Sequence, residues 1–422
     1  MSRYLAYSPD QGSLLPPSVE AVLGRDHLCF FVHQMVERLD LKRFLESYAA
    51  EGGVLYHPSL LLKLWLYAYA VGITSSRRLE QRVREDLALR YLAGGAEPDY
   101  WALNAFRRRH GRALNDSFTQ VVEQARELGL RQLGTVAVDA TRIKASASPD
   151  KVVAVERAAR ARVRRRVRSW QQACDGDDPN QGAGSHVGAA IEQIGAVSAE
   201  LKPLPRPARS ATVKCAATVE RATTADHTAI AQRAAPVKRS LTDADARFLR
   251  SRGGRFVLGY TAEVAVTEDH LIVAQRVTQA GNENDSLPAM VALVAASCGT
   301  PPARVVADSG YYSNRNLEPL AHAGIDVYVP DSNLARELNL GQPASERHCR
   351  DPHQQAMRAK LRSDEGRRIY TRRKGIVEPV FGVLKQQRGL GAGFRLRSLD
   401  KVAIEFALAA TAYNLTRLHK LR

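Results

Sequence analysis

Apolar positions change period along this chain, and each change marks an element. From about residue 18 to residue 130 they recur every three to four positions, the spacing of amphipathic helices. Within that region "PSLLLKLWLYAYAVG" predicts a buried helix opened by Pro58 and closed by Gly72. Lys63 interrupts this run, which falls short of the roughly 20 residues of a membrane span, so it is assigned to a core. "SSRRLEQRVREDLALRYLAG" places Leu79, Val83, Leu87 and Tyr91 on one stripe. It predicts a single helix whose opposite face carries Arg77, Arg78, Arg82 and Arg84. In "YWALNAFRRRHGRAL", Arg107, Arg108, Arg109, His110 and Arg112 lie beside Trp101 and Phe106. A basic helical unit of this kind suits docking on DNA in the manner of a helix-turn-helix, and equally the solvated face of an ordinary bundle.

The period then shortens. In "LGTVAVDATRIKA", Val136 and Val138 alternate with small residues and predict a buried strand that ends at Asp139. "RFVLGYTAEVAVTEDHLIVAQRVTQ" reads as a hairpin turning at Glu268, Asp269 and His270. A helix over about 284–297 follows, with Asn284 and Asp285 as its caps. Next come a strand "ARVVAD" ending at Asp308, a helix over 314–323, and a strand "IDVYVP" closed by Pro330. The stretch from about 330 to 357 is expected as a loop over or beside a cleft. "KGIVEPVFGVLKQQRG" predicts a late helix, and "SLDKVAIEFALAATAYNLTRL" a buried one without chemistry. The order is that of an α/β protein with an antiparallel hairpin followed by parallel crossovers.

Composition changes the picture at one place above all. Between the first strand and the hairpin, "KVVAVERAARARVRRRVRSW" carries eight basic residues against the single acid Glu156. "DGDDPNQGAGSH" and "KPLPRPARSATVK" then read as linkers. This stretch is expected to be an inserted basic helix and arm, with Arg164, Arg165 and Arg166 contacting phosphates without reading sequence. The whole chain of 422 residues carries a formal charge of +17, the footprint of a protein that meets polyphosphate. Five scattered cysteines without a CxxC pair fit a reducing compartment and exclude a disulfide scaffold. "MSRYLAYSPDQGS" lacks an apolar signal core. The expectation is a cytoplasmic, nucleoid-associated protein with no membrane partner. His348, Cys349 and His353 lie close in sequence, yet no fourth ligand accompanies them, so zinc is not expected.

Three carboxylates stand where packing alone would not put them. Asp139 and Asp308 are expected at strand ends, where sites collect in open α/β sheets. Glu378 sits on the rim of an apolar helix. Grouped, they would repel one another unless a cation neutralised them. Oxygen donors favour Mg²⁺ or Mn²⁺ over zinc. Two such ions about 4 Å apart could ionise a water or a 3′-hydroxyl and stabilise the oxygen leaving a phosphodiester. Lys385, two helical turns after Glu378, shares its face. Ser309 and Tyr311 could line the site or simply form its turn.

At these residues the chain resembles the DDE transposases of bacterial insertion sequences, the group with a Tyr-Arg-Glu-Lys signature. "VAVDATRIKASAS", "GYTAEVAV", "VVADSGYYS" and "IYTRRKGIVEPVFGVLKQQRG" carry the resemblance, and the helical region from His57 to Asp86 adds to it. It implies an RNase H-like mixed sheet flanked by helices. On that basis residues 1–130 form a helical DNA-binding region, 131–146 with 253–422 the catalytic core, and 147–252 a basic insertion within it. Asp139, Asp308 and Glu378 match the metal-binding triad, and Lys385 the signature lysine. Tyr370 and Arg373 match the tyrosine and arginine. Four residues separate Arg373 from Glu378 where the commonest pattern has three, which leaves the phosphate-contacting cation open between Arg373 and Lys374. Arg107, Arg108 and Arg109 join them as DNA-binding candidates. The resemblance further implies binding of terminal inverted repeats, cleavage at the element ends, transfer of the 3′ ends to target DNA, and a dimer or larger assembly on DNA. An RNase H-fold nuclease or resolvase, or a non-catalytic regulator derived from a transposase, are the alternatives.

Overall fold

The computed structural model describes residues 18–46, 56–128, 133–154, 238–250, 254–343 and 351–422. Eight helices precede the first strand: α1 (Val19–Leu23), α2 (Leu28–Glu37), α3 (Lys42–Leu45), α4 (Pro58–Ala70), α5 (Ser76–Glu85), α6 (Leu87–Ala93), α7 (Tyr100–Arg109) and α8 (Gly111–Glu127). The single helix expected over the arginine-rich stripe is two. Asp86 is extended between them and caps α6, accepting from the amides of Ala88 and Leu89 at 2.9 and 3.2 Å. A cap that satisfies two otherwise orphaned amides starts a new helix and resets the apolar phase. Leu79 and Val83 stay buried, whereas α6 buries Ala88, Leu89 and Leu92 in place of Leu87 and Tyr91.

The sheet is built on β1 (Thr135–Lys144), which runs five residues beyond Asp139 rather than ending there. Its antiparallel partner β5 (Phe256–Thr267) pairs along nearly its whole length, Val136 opposite Thr267 and Lys144 opposite Gly259. That long partner holds residues 140–144 extended, which apolar alternation alone did not reveal. β6 (Ile272–Thr278) pairs with β5 after a turn at which His270 takes a left-handed φ of 59°. β7 (Arg304–Ala307) lies parallel to β1, and β8 (Asp326–Tyr328) parallel to β7. The order β6-β5-β1-β7-β8, two antiparallel neighbours and then two parallel ones, is that of an RNase H-like mixed sheet.

β4 (Arg247–Arg250) adds to the near end of β5, so these residues belong to the core sheet although the sequence reading put them in the insertion. The described residues of 1–146 and 245–422 form one compact unit, and those of 147–244 a second. In the second, β2 (Val152–Ala154) pairs antiparallel with β3 (Lys238–Ser240) and brings the two ends of the insertion together. Arg164, Arg165 and Arg166 lie outside the described residues.

Helices cover the sheet: α9 (Leu287–Cys298), α10 (Asn314–His322), α11 (Ser332–Leu340), α12 (Pro352–Arg362), α13 (Asp364–Gln386) and α14 (Leu399–Leu421). The stretch expected as a loop is thus largely α11 and the start of α12, joined by the buried pair Asp331–Arg358 at 2.7 Å. α14 is apolar on nearly every face because it packs against α4 and α8 on one side and β6 on another. Its Asn414 exchanges hydrogen bonds with both backbone groups of Ile272, satisfying the start of an edge strand. Asn284 and Asp285 do not cap α9. Asp285 pairs with Arg315, and the amide of Leu287 donates to Asn316 from α10. Among the described residues no helix is long and apolar enough to cross a membrane.

Candidate active site

Strand register brings the two aspartates together. Thr135 to Val138 face Arg304 to Ala307 in parallel, so one step further Asp139 and Asp308 stand side by side on strands about 5 Å apart. Here β7 stops. Asp308 turns the chain into the short turn Ser309–Tyr311 and caps it by accepting from the amide of Gly310 at 3.0 Å. Asp139, only 3 % exposed, accepts from the amide of Ala140 at 2.8 Å and from Nη1 of Arg373 at 3.3 Å.

α13 supplies the third wall. Glu378, Phe381 and Lys385 project from one of its faces, and with Asp139 and Asp308 they line a cleft of about 380 Å³. Lys385 reaches across to β1 and donates to Oγ1 of Thr141. Glu378 is exposed and makes no ion pair among the described residues. One to two turns before Glu378 the same helix carries Tyr370 and Arg373 into the core. Tyr370 packs with Val306, Tyr328 and Leu361, and the Arg373 guanidinium lies 5.9 Å from the centre of its ring. Burial pushes the Tyr370 hydroxyl up, partly opposed by Arg373.

Burial divides the DNA-binding candidates into two groups. Arg107 is 2 % exposed, stacks 4.2 Å from the Trp65 ring and donates to the Tyr69 hydroxyl and the Thr74 carbonyl. It ties the helical region together, because the last turn of α7 points one of its three consecutive arginines inward. Tyr370 and Arg373 are likewise buried, and shape the site from behind. Arg108, Arg109 and Lys374 are exposed. The cation left open by spacing therefore divides into two roles: Arg373 against Asp139, Lys374 at the surface one turn before Glu378.

Tyr311, which the sequence left between lining the site and forming its turn, joins a hydrogen-bonded group that sequence reasoning passed over: Glu263, Arg276, Asn316 and Glu283. Tyr311, fully buried, donates to Oε1 of Glu263 at 3.3 Å, and Arg276 holds Oε2 of that carboxylate through two N–H groups. Burial pushes the Tyr311 hydroxyl well above its usual range, and Glu263, Asp139, Glu283 and Asp308 add to the effect. Asn316 is also buried and donates to the carbonyls of Tyr311 and Glu283. A side chain on Gly310 would meet the carboxylates of both Asp308 and Glu283 at 3.1 Å, which explains glycine there. Glu283 in turn pairs with Arg142 at 2.7 Å on the cleft wall. The available signal was a lone glutamate inside the otherwise apolar "TAEVAV".

Residues 225–415 match the family model described as "Transposase DDE domain", and residues 17–109 the one described as "Transposase domain (DUF772)"; together they span about two thirds of the chain. The chain belongs to the DDE transposases. Neither the curated proteins nor the solved structures gave a match. The first match contains Asp308 and Glu378 but starts beyond Asp139, which joins them through strand register alone. The transposase is thereby an enzyme of a metal-dependent, DNA-acting family.

Oxygen donors alone line the acidic part of the cleft, as hard divalent cations require. Among the described residues no three His, Cys, Asp or Glu side chains are gathered tightly enough to hold an ion as they stand. The guanidinium of Arg373 meanwhile supplies positive charge at Asp139. Four carboxylates line the cleft, Asp139 with Arg373 beside it, Glu283 paired with Arg142, Asp308 and Glu378, and the set fits a divalent ion in donor chemistry. His348 and Cys349 lie outside the described residues, so the weighed zinc cluster is limited here to His353.

Proposed function

We propose that the transposase binds the terminal inverted repeats of its element, cleaves at the element ends and joins the 3′-hydroxyl ends to target DNA. The observation that carries this reading is the adjacency of Asp139 and Asp308 in register, facing Glu378 and Lys385 across one cleft. In this proposal Asp139, Asp308 and Glu378 would hold Mg²⁺ or Mn²⁺, two ions per site, whose charge would favour ionisation of the attacking hydroxyl and offset charge at the leaving oxygen. Lys385, anchored on Thr141, and Lys374, one turn before Glu378, hold phosphates of the strand in the cleft. Arg373 balances Asp139 in the free protein and keeps the strand-end carboxylates from repelling one another apart. Arg108 and Arg109, and the inserted Arg164, Arg165 and Arg166, contact phosphates of the DNA backbone. Two ends must be held at once, so the working form is a dimer or larger assembly on DNA.

The test is a labelled duplex ending in the inverted repeat that flanks the gene, incubated with target plasmid and Mg²⁺. Joined product that disappears with Asp308→Asn supports the proposal. Cleavage without joining would make the protein a nuclease of the same fold, and binding without either would make it a regulator.

A further inference from the structure

Far along the helical region one large apolar side chain is left in solvent. Trp101, in the first turn of α7, is 65 % exposed. A lone exposed leucine needs no explanation, but a tryptophan held in water beside a set of cations does. Seven residues on, Arg108 shares its helical face, about 10 Å away along the axis, and Arg109 flanks it. The guanidinium of Arg77 stacks 5.1 Å from the ring of Tyr100 and links α5 to α7 at this point, with Arg78 beside it. Among the described residues Arg77, Arg78, Arg108 and Arg109 take part in no ion pair, whereas Arg82 and Arg84 on the same helix α5 are paired with acids. The face therefore combines an apolar anchor with uncompensated positive charge.

We propose that this face of α5 and α7 is a docking surface for duplex DNA, with Trp101 packed against a groove edge and Arg77, Arg78, Arg108 and Arg109 on the flanking phosphates. The spacing of Trp101 and Arg108 is comparable with the roughly 12 Å width of a major groove. Phosphate contacts fix position, and an inserted apolar ring adds a contact that salt does not screen. The inference rests on DNA being the partner, as the transposase reading has it, and adds the surface and its anchor. A second copy of the chain would instead offer acidic or apolar groups to this face, and the test separates the two.

Full-length protein is titrated with two short duplexes, one carrying the flanking inverted repeat and one with its bases shuffled, by fluorescence anisotropy and tryptophan emission. The chain has three tryptophans, Trp65, Trp101 and Trp170, so the emission change that the parent shows and Trp101→Phe lacks is the signal of position 101. Trp101→Ala should weaken binding to the inverted repeat about tenfold, the scale of an aromatic anchor. Arg108→Gln with Arg109→Gln should weaken both duplexes and flatten the salt dependence by about one ion per lost contact. Binding by Trp101→Ala within twofold of the parent overturns the proposal. So does a change in the mass of the DNA-free protein with affinity intact, which assigns the face to a second copy. Protein that binds through Trp101 yet never joins ends leaves this surface standing and overturns the transposition reading alone.

Discussion

Removing the positive charge beside Asp139 should cost stability in a way that a divalent ion can repair. Arg373→Met keeps the length and apolar body of the side chain but deletes the guanidinium that lies 3.3 Å from the carboxylate, with both side chains more than nine-tenths buried. At an effective dielectric constant of about 20 that separation corresponds to a gross attraction of about 5 kcal/mol. Part of it is offset by the desolvation of both ions. Truncating one partner of such a pair typically costs about 3 kcal/mol, because a buried charge is left uncompensated. Asp139 would then face Asp308 across adjacent strands without the guanidinium beside it. The assay is urea denaturation of parent and variant, each with and without Mg²⁺. The variant should be less stable by about 3 kcal/mol without metal, and Mg²⁺ should raise its midpoint more than it raises the parent's, since the ion replaces the missing charge. A variant as stable as the parent, or one that gains no more from Mg²⁺, would refute the idea that Arg373 stands in for a cation at Asp139.

Other outcomes follow from the same geometry. Asp139→Asn, Asp308→Asn and Glu378→Gln should each lower cleavage and joining by at least about a thousandfold while leaving the affinity for DNA nearly unchanged in a filter-binding assay. Tyr311→Phe removes one hydrogen bond to Glu263 and should cost about 1 kcal/mol in denaturant titration; unchanged stability would remove that bond from the account. His110 is buried against Phe44 and Phe106, and burial, then Arg109, pushes its pKa down to about 4. Its folded value is depressed, so its contribution is present above the unfolded value of 6.5 and is lost as pH falls toward 4. Compared with His110→Phe, the parent should lose up to about 3 kcal/mol over that window, and parallel pH curves for the two proteins would contradict this.

Much of the site was legible because its chemistry conflicts with its surroundings. A carboxylate at the end of an apolar alternation, another before "SGYY" and a third on the rim of a helix each stand out from what packing asks. The hairpin, the parallel crossovers and the buried last helix could be read in the same way, from period and punctuation. What escaped depends on partners distant in sequence. Residues 140–144 of β1 are held extended by β5, more than a hundred positions later, and no local pattern announces that. Asp86 breaks a helix that the apolar stripe would have continued, because a capping carboxylate outweighs a weak periodic preference. Three consecutive arginines looked equivalent, yet α7 turns Arg107 into the core against Trp65 and leaves Arg108 and Arg109 outside. The amide of Leu287 finds its acceptor in Asn316 on another helix, so the local candidates Asn284 and Asp285 were the wrong caps.

The convergence of residues 139, 308 and 378 on one divalent-ion cleft can be tested on the protein itself. Mg²⁺ is replaced by Fe²⁺ in the presence of ascorbate and peroxide, and radicals generated at the bound ion cut the backbone beside it. The fragments should map to three separate points, near Asp139, Asp308 and Glu378, and fade together when Mg²⁺ competes. Cuts confined to one or two of those points, or cuts that Mg²⁺ does not suppress, would contradict the account.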